Sequence, residues 1–108
     1  MSRTPPDLTP PQDVAKVAQK GLELRDRFRR GGTSVGIARA RDLKNRRTLS
    51  EETIDRMVSY FARHEVDKQA ADFGNDTRPS AGYIAWLLWG GDAGKAWSEA
   101  CQAELRGD

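Results

Sequence analysis

The chain has 108 residues, enough for one modest hydrophobic core and too few for two ordinary domains. Charged residues make up 31% of it, yet three Trp, three Phe and two Tyr argue against a disordered chain. The longest uncharged apolar run, residues 82–91, is about half of the roughly 20 residues that a membrane span needs. The proline-rich start lacks the apolar stretch of a signal peptide. We therefore expect no membrane partner, and a location in the cytosol or in a particle into which the protein is packaged from the cytosol.

The charge is sorted along the chain. Residues 16–47 carry eleven Lys or Arg and three acids, a net charge of +8, whereas residues 48–108 carry six Lys or Arg and eleven acids, a net charge of −5. The whole chain has a net charge of only +2. This asymmetry points to an acidic partner for the basic segment, or to pairing between the two parts of the chain.

The first helix is predicted to follow a flexible arm of residues 1–8. Thr9 is its predicted N-cap, with Pro10 at the first helical position and Gln12 closing a capping box. Apolar residues then recur at three- and four-residue steps, which predicts one buried stripe. Gly31-Gly32 is the predicted end of this helix.

Two more helices are predicted in the middle of the chain. Thr33 or Ser34 caps the second, which runs to about Asn45. Thr48 or Ser50 opens the third, which has acidic residues in its first turn, a regular apolar stripe and an end near residues 64–67.

The last third begins with a loop over residues 72–79. Ser80 is then predicted to cap the segment 81–89, which is apolar on all sides and so lies inside the core or beneath a partner. A short strand is the alternative for this segment. Gly90-Gly91 ends it, and Asp92 is the predicted N-cap of a final helix. We predict an all-α fold, a single helical domain over residues 9–108 with four to five short helices.

An arginine-rich face is the first candidate site. Arginine suits bidentate contact with phosphate, so the face predicts binding to the backbone of DNA or another nucleic acid, with weak sequence preference. Arg56 and Arg63 would extend it. The stretch from Ser34 to Glu65 matches a helix-turn-helix in length only, because its turn lacks the usual glycine. The alternative is a solvated face whose cations pair with the acidic half of the chain. The predicted nucleic-acid-binding residues are Arg25, Arg29, Arg30, Arg39, Arg41, Lys44, Arg46 and Arg47.

The aromatic residues near the C-terminus form the second candidate site. Tyr83, Trp86 and Trp89, followed by Trp97, are either core residues, as usual in a small domain, or anchors for a protein partner.

No catalytic, metal or cofactor motif stands out. Residues 30–34 form a plausible anion nest but lack the spacing of a P-loop, and residues 90–95 fail in the same way. His64, with Glu65 and Asp67 beside it, does not place several ligands on one helical face, so a metal site is not expected. Cys101 is expected to be a small buried hydrophobe rather than a reactive thiol. We therefore predict no enzyme activity, no cofactor and no small-molecule substrate.

Three blocks of the sequence carry a family resemblance. They are Gly32 to Leu43, Leu49 to Lys68 and Ala85 to Gly94. Together they resemble a small domain that recurs in tailed-phage and prophage proteins, alone or attached to head-assembly proteins such as capsid maturation proteases. The resemblance spans roughly residues 14–97. It implies a phage setting, with a location in the host cytoplasm or in a virion, and it supplies no site residue.

These features together predict a non-enzymatic, phage-related helical module that binds nucleic acid. The alternative is a virion-structural or protein-interaction module anchored by the Trp-rich segment. Such a module would cement a capsid, assist head assembly or bind a phage or host protein.

Overall fold

The computed structural model describes residues 6–107, and in this range the chain is all-α without strands. This confirms the predicted fold class, and the strand considered for residues 81–89 was wrong. The elements are α1 (Gln12–Phe28), α2 (Ser34–Lys44), α3 (Glu51–His64), a 3-10 helix (Glu65–Gln69), α4 (Ala81–Leu88) and α5 (Gly91–Leu105).

Three hydroxyl side chains start helices where the sequence predicts them. The Thr33 hydroxyl accepts a hydrogen bond from the Gly36 amide at 3.2 Å, and that of Ser50 accepts one from Thr53 at 3.1 Å. Ser80 caps α4 in the same way. Each satisfies an amide that the first helical turn leaves without a partner.

The predicted Thr9 cap was wrong. α1 begins at Gln12, and its N-cap residue is Pro11, which is extended and makes no side-chain cap hydrogen bond. The reason lies in the two consecutive prolines, since the residue before a proline is disfavoured in the helical conformation and Pro10 precedes Pro11. Instead, the Thr9 hydroxyl lies 2.9 Å from the Thr48 hydroxyl, and the Thr9 amide donates a hydrogen bond to the Asp7 carboxylate.

The predicted Asp92 cap was also wrong. α5 begins at Gly91, directly after Gly90, which has a φ of 107°. Because this glycine turns the chain so sharply, Asp92 already lies in the first helical turn. Its carboxylate accepts from the Trp86 indole at 3.0 Å and pairs with Lys68 at 2.9 Å.

The core is built around α4, which packs against all four other α-helices. α1 and α2 form an antiparallel hairpin on one side of it, and α3 packs against α5 on the other. α1 and α4 lie close together at Gly21 of α1, where an added Cβ atom would lie 2.7 Å from the Leu88 backbone nitrogen. This glycine allows α1 and α4 to pack backbone against backbone.

The packed chain begins earlier than the predicted start of the domain at residue 9. Leu8 is buried, and its carbonyl accepts a hydrogen bond from the Leu49 amide at 3.0 Å. Residues 1–5 of the predicted flexible arm lie outside the described residues. Among the helices of residues 6–107, none is both long and apolar enough to cross a bilayer.

Candidate functional site

The predicted basic face is divided between the two ends of the α1–α2 hairpin. Arg29 and Arg30 lie at the turn that joins the two helices, and we call this pair the turn cluster. Arg41 and Lys44 lie in the last turn of α2, and we call this pair the open-end cluster. α2 has 11 residues and is therefore about 16 Å long, so the two clusters lie on the order of 15 Å apart.

The cations of these two clusters are exposed, and none of them pairs with an acid within the described range 6–107. In that range, Lys20 is the one cation of residues 16–47 that pairs with the acidic half, through Asp76 at 3.0 Å. The acids of the second half pair mainly with cations of the same half, as Glu99 does with Lys95. Within residues 6–107, direct ion pairing between the halves, the alternative to a binding face, is thus confined to one exposed contact.

Of the other four predicted cations, three contact protein groups and the fourth is half-buried. Arg39 and Arg47 both pair with Asp42, at 3.3 and 3.5 Å. The Arg46 side chain donates from Nε to the Pro10 carbonyl at 2.7 Å, which ties the end of α2 to the start of α1. Arg25 is half-buried, and its Nε has no hydrogen-bond partner. The turn cluster and the open-end cluster are therefore the best-placed cations for an external anion.

The arrangement of α2 and α3 is not that of a helix-turn-helix. α2 packs against α1, α3 packs against α5, and α2 and α3 make no direct packing contact in the described structure. The geometry therefore offers no pair of helices built to place one of them in a DNA groove.

The three predicted partner-binding aromatics lie in the core. Tyr83 and Trp89 are each 8% exposed, and Trp86 is 2% exposed. Trp86 packs edge-on against Phe61, with ring centroids 4.8 Å apart, and its indole donates to Asp92. A partner would have to open the core to use Trp86 as an anchor, whereas Trp89 also lines a surface groove.

A groove of about 620 Å³ lies between α2 and α3, with α4 as its floor. Val35 of α2 is 49% exposed and forms one apolar wall. Arg56 and Arg63 of α3 stand on the opposite side, with Tyr60 between them along the helix. The remaining lining residues are Gly32, Thr33, His64, Asp67, Ala81, Gly82, Ala85 and Trp89.

A continuous stack of side chains runs beneath this groove. The Tyr60 ring stacks on Trp89 and on His64, with centroids 4.5 Å apart in both pairs, and the Arg39 guanidinium lies 5.7 Å from the Trp89 ring. Burial lowers the pKa of Arg39, although Asp42 beside it acts in the opposite direction. Because Tyr60 is stacked on Trp89 and on His64, the stack holds its ring in one orientation and covers its faces.

The Tyr60 hydroxyl is buried and has no hydrogen-bond partner. Burial is the main cause that raises its pKa, and the nearby Asp67 carboxylate adds to it. Asp67 also lies 3.0 Å from Nδ1 of His64. The tyrosine is thus neutral at physiological pH.

The remaining chemical candidates are the potential metal ligands, Cys101 and the predicted anion nest. The described residues hold no group of three or more His, Cys, Asp or Glu placed to bind a metal. Cys101 is buried, and burial raises the pKa of its thiol. Gly31 and Gly32 of the predicted anion nest both have positive φ and pack against α4, where a Cβ on Gly32 would meet Leu88.

The groove was missed by the sequence interpretation, although one signal for it was present. Arg56, Tyr60 and Arg63 follow the i, i+4, i+7 spacing of one helical face. The apolar wall of α2 is separated from this face by some twenty residues, and no sequence pattern indicates that the two helices face each other across a gap.

Comparisons of the chain with protein-family models, with curated proteins and with solved structures find no match. The resemblance to a phage domain stays a prediction.

Proposed function

We propose that the protein is a non-enzymatic module that binds the phosphate backbone of nucleic acid through the two ends of the α1–α2 hairpin. The observation that carries this proposal is the exposed state of four cations without an ion-pair partner in residues 6–107, two at each end. Cations of this kind release counterions from a polyanion when they bind it.

The separation of the clusters favours a polyanion over a small anion. A single phosphate group cannot contact two sites on the order of 15 Å apart. Duplex DNA carries one negative charge per roughly 1.7 Å of axis, so one short stretch of it can reach both clusters. Contacts of this type carry little sequence information, which agrees with the absence of helix-turn-helix packing between α2 and α3.

A titration of fluorescent duplex DNA, followed by anisotropy at ~50 mM salt, tests the proposal. The double variants Arg29→Gln/Arg30→Gln and Arg41→Gln/Lys44→Gln should each weaken binding. The matched control is Arg78→Gln/Arg106→Gln, which removes two exposed cations from the other half of the chain.

The control variant should keep the wild-type affinity, provided that circular dichroism shows the same helical content for all proteins. Absence of wild-type binding at this salt concentration would eliminate the proposal. Equal weakening by the control would show that net charge, rather than the hairpin, sets the affinity.

A further inference from the structure

The groove between α2 and α3 combines an apolar surface with fixed positive charge. Val35, Ala81 and Ala85 supply apolar lining, and Arg56 and Arg63 supply cations. In residues 6–107, Arg63 has no ion-pair partner, and Arg56 pairs only with the exposed Glu52, at 2.8 Å. The N-terminus of α2 at Thr33 adds the positive end of a helix dipole to the same groove.

One acid, Asp67, is present among the lining residues. Its carboxylate lies 3.0 Å from Nδ1 of His64, so it already has a partner at one end of the groove. With two arginines and one aspartate, the lining residues of the groove carry a formal charge of +1 when His64 is counted as neutral.

Three features indicate the kind of partner. The volume of about 620 Å³ lies in the range of ordinary ligand pockets, enough for a few side chains. The exposed side chain of Val35 offers an apolar contact that a phosphate backbone would not use. The Tyr60 ring is stacked on both Trp89 and His64, so it offers no free face on which an unpaired base could stack.

We propose that this groove docks an acidic, amphipathic peptide segment of a partner protein, with apolar side chains against Val35 and the floor of α4 and carboxylates on Arg56 and Arg63. This groove shares no residue with the turn and open-end clusters, so the variants that test peptide docking differ from those that test nucleic-acid binding. It also differs from an interface anchored by Tyr83 and Trp86, because those rings are not among the lining residues of the groove.

The test is an NMR titration of the ¹⁵N-labelled full chain with a short synthetic peptide of Glu and Leu in amphipathic order. Two further probes are a same-length peptide with Gln in place of every Glu, and a single-stranded DNA oligonucleotide. The Glu peptide should shift the amide resonances of Val35 and Arg63 and the indole resonance of Trp89. Replacing its carboxylates should weaken binding by about three- to tenfold, the effect expected from losing one or two ion pairs at a rim.

Two variants test the lining. Val35→Asp and Arg63→Gln should each weaken binding of the Glu peptide by about three- to tenfold. Both positions are exposed, so folding should be preserved. The matched controls, Val66→Asp and Arg78→Gln, change an exposed valine and an exposed arginine outside the groove and should leave binding unchanged.

Several outcomes would overturn the docking proposal. They are equal binding of the Gln peptide, shifts outside the groove, no shift with any peptide, or groove shifts caused by the oligonucleotide alone. The last result would assign the groove to nucleic acid instead.

Discussion

Trp86→Ala tests whether the Trp-rich segment holds the core together rather than a partner. The side chain is 2% exposed, its ring lies 4.8 Å from that of Phe61, and the Lys68 ammonium lies 4.7 Å from its centroid. Removing a buried tryptophan costs about 3–5 kcal/mol through lost burial and the cavity left behind. Since small domains have a total stability of about 5–15 kcal/mol, the variant should lose a large part of it.

Urea unfolding followed by circular dichroism measures this loss directly. Trp86→Phe keeps an aromatic ring but loses the indole donor to Asp92, a hydrogen bond that contributes about 1 kcal/mol. Its unfolding free energy should therefore lie between those of Trp86→Ala and wild type. The control Val66→Ala changes a side chain that is 58% exposed, so its unfolding free energy should stay within about 0.5 kcal/mol of wild type. If Trp86→Ala unfolded at the wild-type urea midpoint, the side chain would not be packed as described, and the partner-anchor alternative would regain support.

Three further predictions concern packing, capping and the thiol. Gly21→Ala should lower the unfolding free energy by about 1–3 kcal/mol, because the new Cβ would lie 2.7 Å from the Leu88 nitrogen and overpacking outweighs the gain in helix propensity. Ser50→Ala should lower it by about 1 kcal/mol through loss of the α3 cap, whereas Ser59→Ala, on the exposed side of the same helix, should not lower it. Cys101 should react with a thiol reagent at neutral pH far more slowly than free cysteine, because burial raises the pKa of its thiol.

Each of these three has an outcome that would contradict it. A Gly21→Ala protein as stable as wild type in urea would show that α1 and α4 are not in backbone contact. Equal effects of the two serine substitutions would remove the special role of the cap. Thiol modification at the rate of free cysteine would place the thiol in solvent.

The helices and most of their starts could be predicted from local signals. Ser50 and Ser80 stand directly before apolar periodic segments, and each caps the helix that follows. The errors at Thr9 and Asp92 arose where a neighbouring residue changed the backbone: a second proline in one case and a left-handed glycine in the other.

The candidate sites were less predictable, because they depend on how helices meet. Arg29 and Arg41 belong to one basic segment, yet the hairpin places them at opposite ends. Trp86 and Trp89 are large and apolar, and composition alone does not decide whether such rings lie in a core or on a surface. The groove exists only because α2 and α3 stand apart over α4, a long-range arrangement that no local pattern encodes.

The salt dependence of DNA binding measures most directly how many phosphate contacts the α1–α2 hairpin makes. Four phosphate contacts, two from each cluster, predict a slope of about −3.6 in a plot of log K against log salt, or about a 150-fold loss of affinity from 50 to 200 mM. Arg29→Gln/Arg30→Gln should halve this slope to about −1.8, and Arg78→Gln/Arg106→Gln should leave it unchanged. A wild-type slope near zero, or one that the hairpin variant does not alter, would contradict phosphate binding by the α1–α2 hairpin.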